Sequence, residues 1–148
     1  TLRRHGIRAT VHDAGVSGDT TAGGRARIGW TLDGLKRKPD LAIVELGAND
    51  MLRGVDPKVT EANLDAILSE LRRSDIPVLV AGMLAAPNLG ADYRQRFESI
   101  FPRLAKKHDA DLYPFFLQGV VGNRALLLPD GVHPNFEGIK RIVTGILP

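Results

Sequence analysis

Apolar residues recur along this chain in two alternating rhythms. Leu64, Ile67, Leu68 and Leu71 stand at i, i+3, i+4, i+7, the spacing of one helix face. The same period over Tyr93, Phe97, Ile100, Phe101 and Leu104 predicts a single amphipathic helix, and Phe136, Ile139, Val143 and Ile146 predict a closing helix capped by Asn135. Ile28, Leu32 and Leu35 mark an earlier helix, started by Asp19 or Thr20, running to about Arg37 and weakened in its first turn by Gly23 and Gly24. Between these lie short continuous apolar runs. DLAIVELG and PVLVAGM have the character of strands buried on both faces, DLYPFF that of a last strand, and residues 8–13 (RATVHD), with β-branched Thr10 and Val11, that of a first one.

Strand and helix in strict alternation predict an α/β fold, a parallel sheet covered by helices on both faces and joined by right-handed crossovers. At 148 residues the chain fits one domain with a substantial core, and no internal repeat or linker divides it. In such sheets ligands bind outside the carboxyl ends of the strands, so the loops that follow strands carry the chemistry.

Three of those loops are polar. AGVSGDT follows the 8–13 run, GAND (47–50) follows DLAIVEL, and DGVHP (130–134) leads into the last helix. Asp130 stands three residues before His133 across a turn at Gly131, which brings a carboxylate to the imidazole Nδ1–H and leaves Nε2 free to accept a proton. Asn49 offers a side-chain NH₂, and Gly18 a backbone N–H with no Cβ to block approach. These are the donor types that stabilise an oxyanion. Asn49 and Asp50 can equally form an Asx turn at a strand end, and Asp50 reads as structural; Ser17 and Asp19 read as turn and cap chemistry as readily as direct participants. His5, His12 and His108 have no matching partners in the sequence.

SGDT (17–20), GAND (47–50) and DGVHP (130–134), in that order and spacing, resemble the second, third and fifth sequence blocks of the SGNH hydrolases, or GDSL-type esterases. ELGANDMLRG, APNLG and YRQRFESIFPRLAKKHDADLYPFF extend the resemblance over essentially the whole chain, toward the bacterial thioesterase I, lysophospholipase and arylesterase branch. The resemblance implies a three-layer α/β/α fold with a flavodoxin-like parallel sheet. It implies His133 as general base, Asp130 as its orienting partner, and Gly18 and Asn49 as oxyanion donors. It implies no cofactor, and a small ester or thioester as substrate.

The departure is the first block, where the family carries its nucleophilic serine in a Gly-Asp-Ser motif. No such triplet occurs in these 148 residues. In the implied sheet order the strand before it is interior, and its removal leaves a gap of roughly 9–10 Å, about two strand spacings, with unpaired backbone on both sides. Leu2-Arg3-Arg4-His5-Gly6 resembles the last turn of a helix, with basic residues at the negative dipole end followed by a C′ glycine. Together these imply a leading strand and helix, including the serine, outside the sequence given, as a preceding or separate N-terminal segment. Within it only Ser17 is a serious alternative nucleophile, since Ser69, Ser74 and Ser99 fall in or at the edges of helices. A GxSxG elbow would need glycine where Asp19 stands.

Met51, Leu52, Pro87 and Leu89 lie in strand-end loops and are candidates to line an acyl pocket, although apolar loop residues can equally pack on the domain. The loop LAAPNLG, rich in glycine and alanine with its flanks, leaves room for movement. Metal ligation by Asp130 and His133 finds no support in an HExxH or second cluster. Twenty Lys and Arg against 17 Asp and Glu give a net charge of +3, but the basic residues are scattered and only 5% of the chain is aromatic, which argues against nucleic acid. No stretch approaches a membrane span, and the absence of cysteine excludes thiolate chemistry. A homo-oligomer and a periplasmic, secreted or cytoplasmic location are all compatible with the residues. The competing functional class is a non-catalytic flavodoxin-like binding domain or pseudoenzyme.

Overall fold

The computed structural model describes residues 2–147, which divide into two compact units, Val16–Phe115 and a second made of residues 2–15 with 116–147. The first unit holds the sheet. Strands β1 (Ala42–Val44), β2 (Val78–Ala81) and β3 (Asp111–Tyr113) run parallel in the order β1-β2-β3, with Val44, Val80 and Leu112 in register. Helix α1 (Thr21–Asp33) packs beside α3 (Pro57–Arg73), which packs beside α5 (Ile100–His108), and α5 lies on β2 and β3. A one-turn helix α2 (Ala48–Leu52) follows β1, and α4 (Ala91–Glu98) precedes α5.

The helical periodicities over 64–71 and 97–104 hold as buried faces. Leu64, Ile67, Leu68 and Leu71 are all buried, as are Phe97, Ile100, Phe101 and Leu104. Phe97 and Phe101 meet edge to face at 5.5 Å between ring centroids, and removing either ring would cost about 3–5 kcal/mol. α3 and α5 end alike, each running into an aspartate in the left-handed region, Asp75 (φ 52°) and Asp109 (φ 54°). The following N–H in each case bonds back into the helix, Ile76 to Leu71 and Ala110 to Ala105.

Four expectations are corrected. The helix expected over Tyr93–Leu104 is two helices broken at Ser99, because Pro102 has no N–H to give and its ring clashes with the carbonyl four residues earlier, that of Glu98. α1 stops at Asp33, where Gly34 and the turn closed by Leu35 N–H to Leu32 end it. Residues 8–13 form no strand, since no other segment among the described residues pairs with them and a strand exists only in a ladder. β1 is not buried on both faces: Val44 is buried, but Ile43, pointing to the opposite face, is 56% exposed.

Several glycines record close approaches. A Cβ on Gly24 would lie 2.5 Å from Leu46 Cδ1, so this residue lets α1 settle against the β1–α2 connection. One on Gly82 would lie 2.3 Å from the carbonyl oxygen of Pro114, so Gly82 serves packing between strand ends and not loop movement. In the second unit, Gly138 of α6 (Phe136–Ile146) would meet Leu126 O at 2.2 Å, which sets how closely α6 approaches the turn at Arg124–Leu126. Leu2–His5 forms a 3₁₀ turn closed by Gly6 at φ 74°, the helix-end geometry expected there.

Candidate active site

Asp130 and His133 meet in the second unit as the spacing predicts. Leu128 N–H bonds to His133 O (2.7 Å) and Gly131 N–H to Leu128 O (2.9 Å), closing a tight loop that Gly131 turns with a φ of 70°. Asp130 Oδ1 accepts the backbone N–H groups of Val132 (2.9 Å) and His133 (3.0 Å), while Oδ2 lies 2.8 Å from His133 Nδ1. The Val132 amide, the imidazole and the His133 amide hold the Asp130 carboxyl down at about 2. An ionised Asp130 therefore fixes the tautomer with the proton on Nδ1. Nε2 has no partner among the described residues, and the side chain is 69% exposed.

The loop is anchored from behind by Asn135. Its Oδ1 accepts from Glu137 N–H and Gly138 N–H, both at 3.0 Å, and caps α6. Its Nδ2 donates to Ala125 O (2.9 Å) and Leu127 O (3.2 Å), and its own N–H bonds to Leu126 O (2.9 Å). A capping side chain thus ties the helix start to the segment on the far side of the dyad loop.

Gly18 and Asn49 both lie in the first unit, where Asn49 bonds to the residue after Gly18. Asp19 N–H bonds to Val16 O (3.1 Å), closing a turn with Gly18 at its third position and φ 77°, a conformation that favours glycine. The Gly18 N–H is unpartnered among the described residues. Asn49 Nδ2 gives one hydrogen to Asp19 O at 2.9 Å and keeps a second. Of the two caps expected for α1, Thr20 serves, its hydroxyl accepting from Gly23 N–H at 3.3 Å. Asp19 instead pairs with Arg27 at 2.8 Å, and a Cβ on Gly23 would collide with its carboxylate.

Asp50, 1% exposed, is more connected than a strand-end turn requires. Its Oδ2 accepts Thr21 N–H (2.8 Å), and its Oδ1 accepts the hydroxyls of Thr21 and Thr60. Asn63 Nδ2 donates to Thr21 Oγ1 at 3.2 Å and Arg25 donates to Asn63 Oδ1 at 3.3 Å. Thr21, Thr60 and Asn63 escaped sequence reasoning because they lie up to 42 residues from their partners. Gly47 at φ 116°, packed against Phe101, Phe97 and Thr60, starts α2 where a side chain would be strained.

The four apolar residues of the pocket expectation all belong to the first unit. Leu52 is 63% exposed, Pro87 is exposed and Leu89 half-buried. Met51 is a core residue whose sulfur lies 3.2 Å from the Ala86 nitrogen. His108, read as ordinary, is a buried partner of Asp65, with Nε2 at 2.7 Å from a carboxylate that Lys107 also engages.

Residues 1–141 match the model of the GDSL-like lipase/acylhydrolase family. The chain is 40% identical over 136 residues to an arylesterase of Vibrio mimicus, an alignment spanning 92% of this chain and 67% of that relative. It is 35% identical over 147 residues to the esterase TesA of Pseudomonas aeruginosa, spanning 99% of this chain and 72% of TesA. Among solved structures it is similar to AlinE4, described as an SGNH-hydrolase family esterase, with 52% identity, a TM-score of 0.86, and coverage of 97% of this chain and 76% of that one. The parallel α/β sheet, the Asp130–His133 pair and these similarities agree, and the chain belongs to the GDSL-like lipase/acylhydrolase family of SGNH-type ester hydrolases.

Proposed function

We propose that residues 1–148 belong to a single SGNH hydrolase domain that cleaves acyl or aryl esters and thioesters through an acyl-enzyme, with a serine nucleophile that this sequence does not contain. The observation that carries the reading is the Asp130–His133 pair, Oδ2 to Nδ1 at 2.8 Å with Nε2 unpartnered among the described residues. In the first half-reaction the serine Oγ bonds to the acyl carbon and its proton passes to His133 Nε2, then to the departing alkoxide or thiolate. Gly18 N–H and the second hydrogen of Asn49 Nδ2 receive the carbonyl oxygen as it becomes an oxyanion. Water repeats the cycle, giving its proton to Nε2, and the acid leaves.

Aryl esters are favoured by the name of the arylesterase relative, and fatty-acyl esters by the exposed apolar side chains of Leu52 and Pro87, with Leu89 half-buried and Met51 supporting the 84–89 loop through Ala86. The partners are then small molecules; no helix among the described residues is long and apolar enough to cross a membrane.

The test is hydrolysis of a p-nitrophenyl ester by the full-length protein, with labelling by a fluorophosphonate and mapping of the labelled peptide. His133→Ala should abolish turnover and Asn49→Ala lower kcat about 10²–10³-fold. The label should fall on a serine outside these residues; a label on Ser17 would replace the proposed nucleophile, and a fully active His133→Ala protein would remove the mechanism.

A further inference from the structure

An oxyanion hole works only if its donors are fixed before the charge develops, and here the two donors come from different elements, a turn and the start of a one-turn helix. Three residues from that single turn of α2 and its C-cap reach the Gly18 turn and the start of α1. Asn49 Nδ2 holds Asp19 O (2.9 Å), Arg53 Nη2 holds Gly18 O (2.9 Å), and Asp50 holds Thr21 through both its N–H (2.8 Å) and its hydroxyl. Asn49 and Arg53 stand at i and i+4, on one face of the turn, while Asp50 turns inward to Thr60 and the Thr21–Asn63 pair.

The chemistry of each contact suits a positioning task. The Gly18 carbonyl is exposed and water would satisfy it, so folding alone does not need a guanidinium there. Gly18 also has the widest backbone freedom of any residue type, and its N–H has no partner among the described residues. Holding the Gly18 carbonyl fixes the peptide plane that follows this N–H, and the Asp19 carbonyl is fixed in the next plane. The carboxylate of Asp50 sits at the N-terminus of α1, where the helix's unsatisfied N–H groups and dipole favour a negative charge.

We infer that α2 is a clamp that sets the separation of the two oxyanion donors, with Arg53 and Asp50 as positioning residues that touch neither substrate nor nucleophile. This deepens the proposed hydrolytic reading and rests on it. Arg53 acts on the Gly18 turn from outside, Asp50 on the first turn of α1 from inside.

The experiment is steady-state hydrolysis of p-nitrophenyl butyrate by the full-length protein and its Arg53→Met, Arg53→Lys, Asp50→Asn and Asn49→Ala variants, with Tm and inhibition by an alkyl boronic acid measured on each. Arg53→Met should lower kcat about tenfold, since small misplacements of a catalytic donor cost this much or more, with KM within about twofold and Tm unchanged. Boronate affinity should fall in parallel with kcat/KM, because the boronate is held as the transition state is. Arg53→Lys should recover part of the loss through a single N–H donor. Asp50→Asn should show the same kcat pattern where it folds, and the Arg53 pair carries the test if it does not.

Unchanged kcat in Arg53→Met beside a 10²–10³-fold loss in Asn49→Ala would overturn the clamp and leave the hydrolase reading standing. A fall in kcat matched by a fall in Tm, without rescue by lysine, would make Arg53 merely structural and also overturn it. Unchanged rates in both Arg53→Met and Asn49→Ala would instead strike the oxyanion assignment itself.

Discussion

Replacing Asn135 by alanine removes a side chain that makes four hydrogen bonds immediately after the dyad loop. Two of them cap α6, through Oδ1 to Glu137 N–H and Gly138 N–H; the other two run from Nδ2 to the carbonyls of Ala125 and Leu127. Losing the cap costs about 1 kcal/mol. Each amide bond to a partly exposed carbonyl adds about 0.5–1 kcal/mol. Asn135→Ala should therefore destabilise by about 2–3 kcal/mol, a fall in Tm of about 5–10 °C for a protein of this size. Asn135→Ser keeps an oxygen for the cap and loses only the amide donors, so it should cost about 1–2 kcal/mol. Urea denaturation of the full-length protein, followed by circular dichroism, measures both. His133 lies two residues upstream, and its carbonyl and Leu128 N–H close the same loop, so kcat should fall in the same order as stability. Equal losses for serine and alanine would show that the cap contributes nothing. A loss below about 0.5 kcal/mol for alanine would refute the anchoring role altogether.

The Asp130 carboxyl, held at about 2 chiefly by the Val132 amide and then by His133, lies below the ordinary value of about 3.9. Its contribution to stability is fully present above about 4 and is lost as pH falls through about 2. The Asp130 carboxyl carbon resonance should titrate in that lower range, and a midpoint near 4 would remove the hydrogen-bonded dyad. Glu45 follows the opposite sign: burial raises its carboxyl, no partner offsets this among the described residues, and the neutral form is favoured in the fold. Its native-state penalty thus grows as pH rises through the raised value, so Glu45→Gln should increase Tm at pH 7 and change it little at pH 4. An equal effect at both values would refute the burial argument. Gly82→Ala forces a methyl to within 2.3 Å of the Pro114 carbonyl oxygen and should cost about 1–3 kcal/mol by denaturant titration. A neutral result would show that the β2 and β3 ends separate easily.

What the sequence by itself determined is local. The helix faces of α3 and α5, the Asn135 cap, the turn at Gly131 and the Asp130–His133 pair involve residues within a few positions of one another, so periodicity and turn chemistry suffice to find them. Pro102 carried its own warning, since its missing N–H breaks the helix that hydrophobic spacing alone makes continuous. Other features were decided only by the tertiary structure. Whether residues 8–13 become a strand depends on an edge to pair with, and composition cannot report a partner. Asp50 with Thr21, Arg53 with Gly18 and Asp65 with His108 join residues 29, 35 and 43 positions apart. Gly82 and Gly138 are glycines because a distant carbonyl lies where a Cβ would stand. Such contacts arise when packed elements bring remote side chains to one place, and a buried carboxylate such as Asp50 persists only where that packing also supplies its donors.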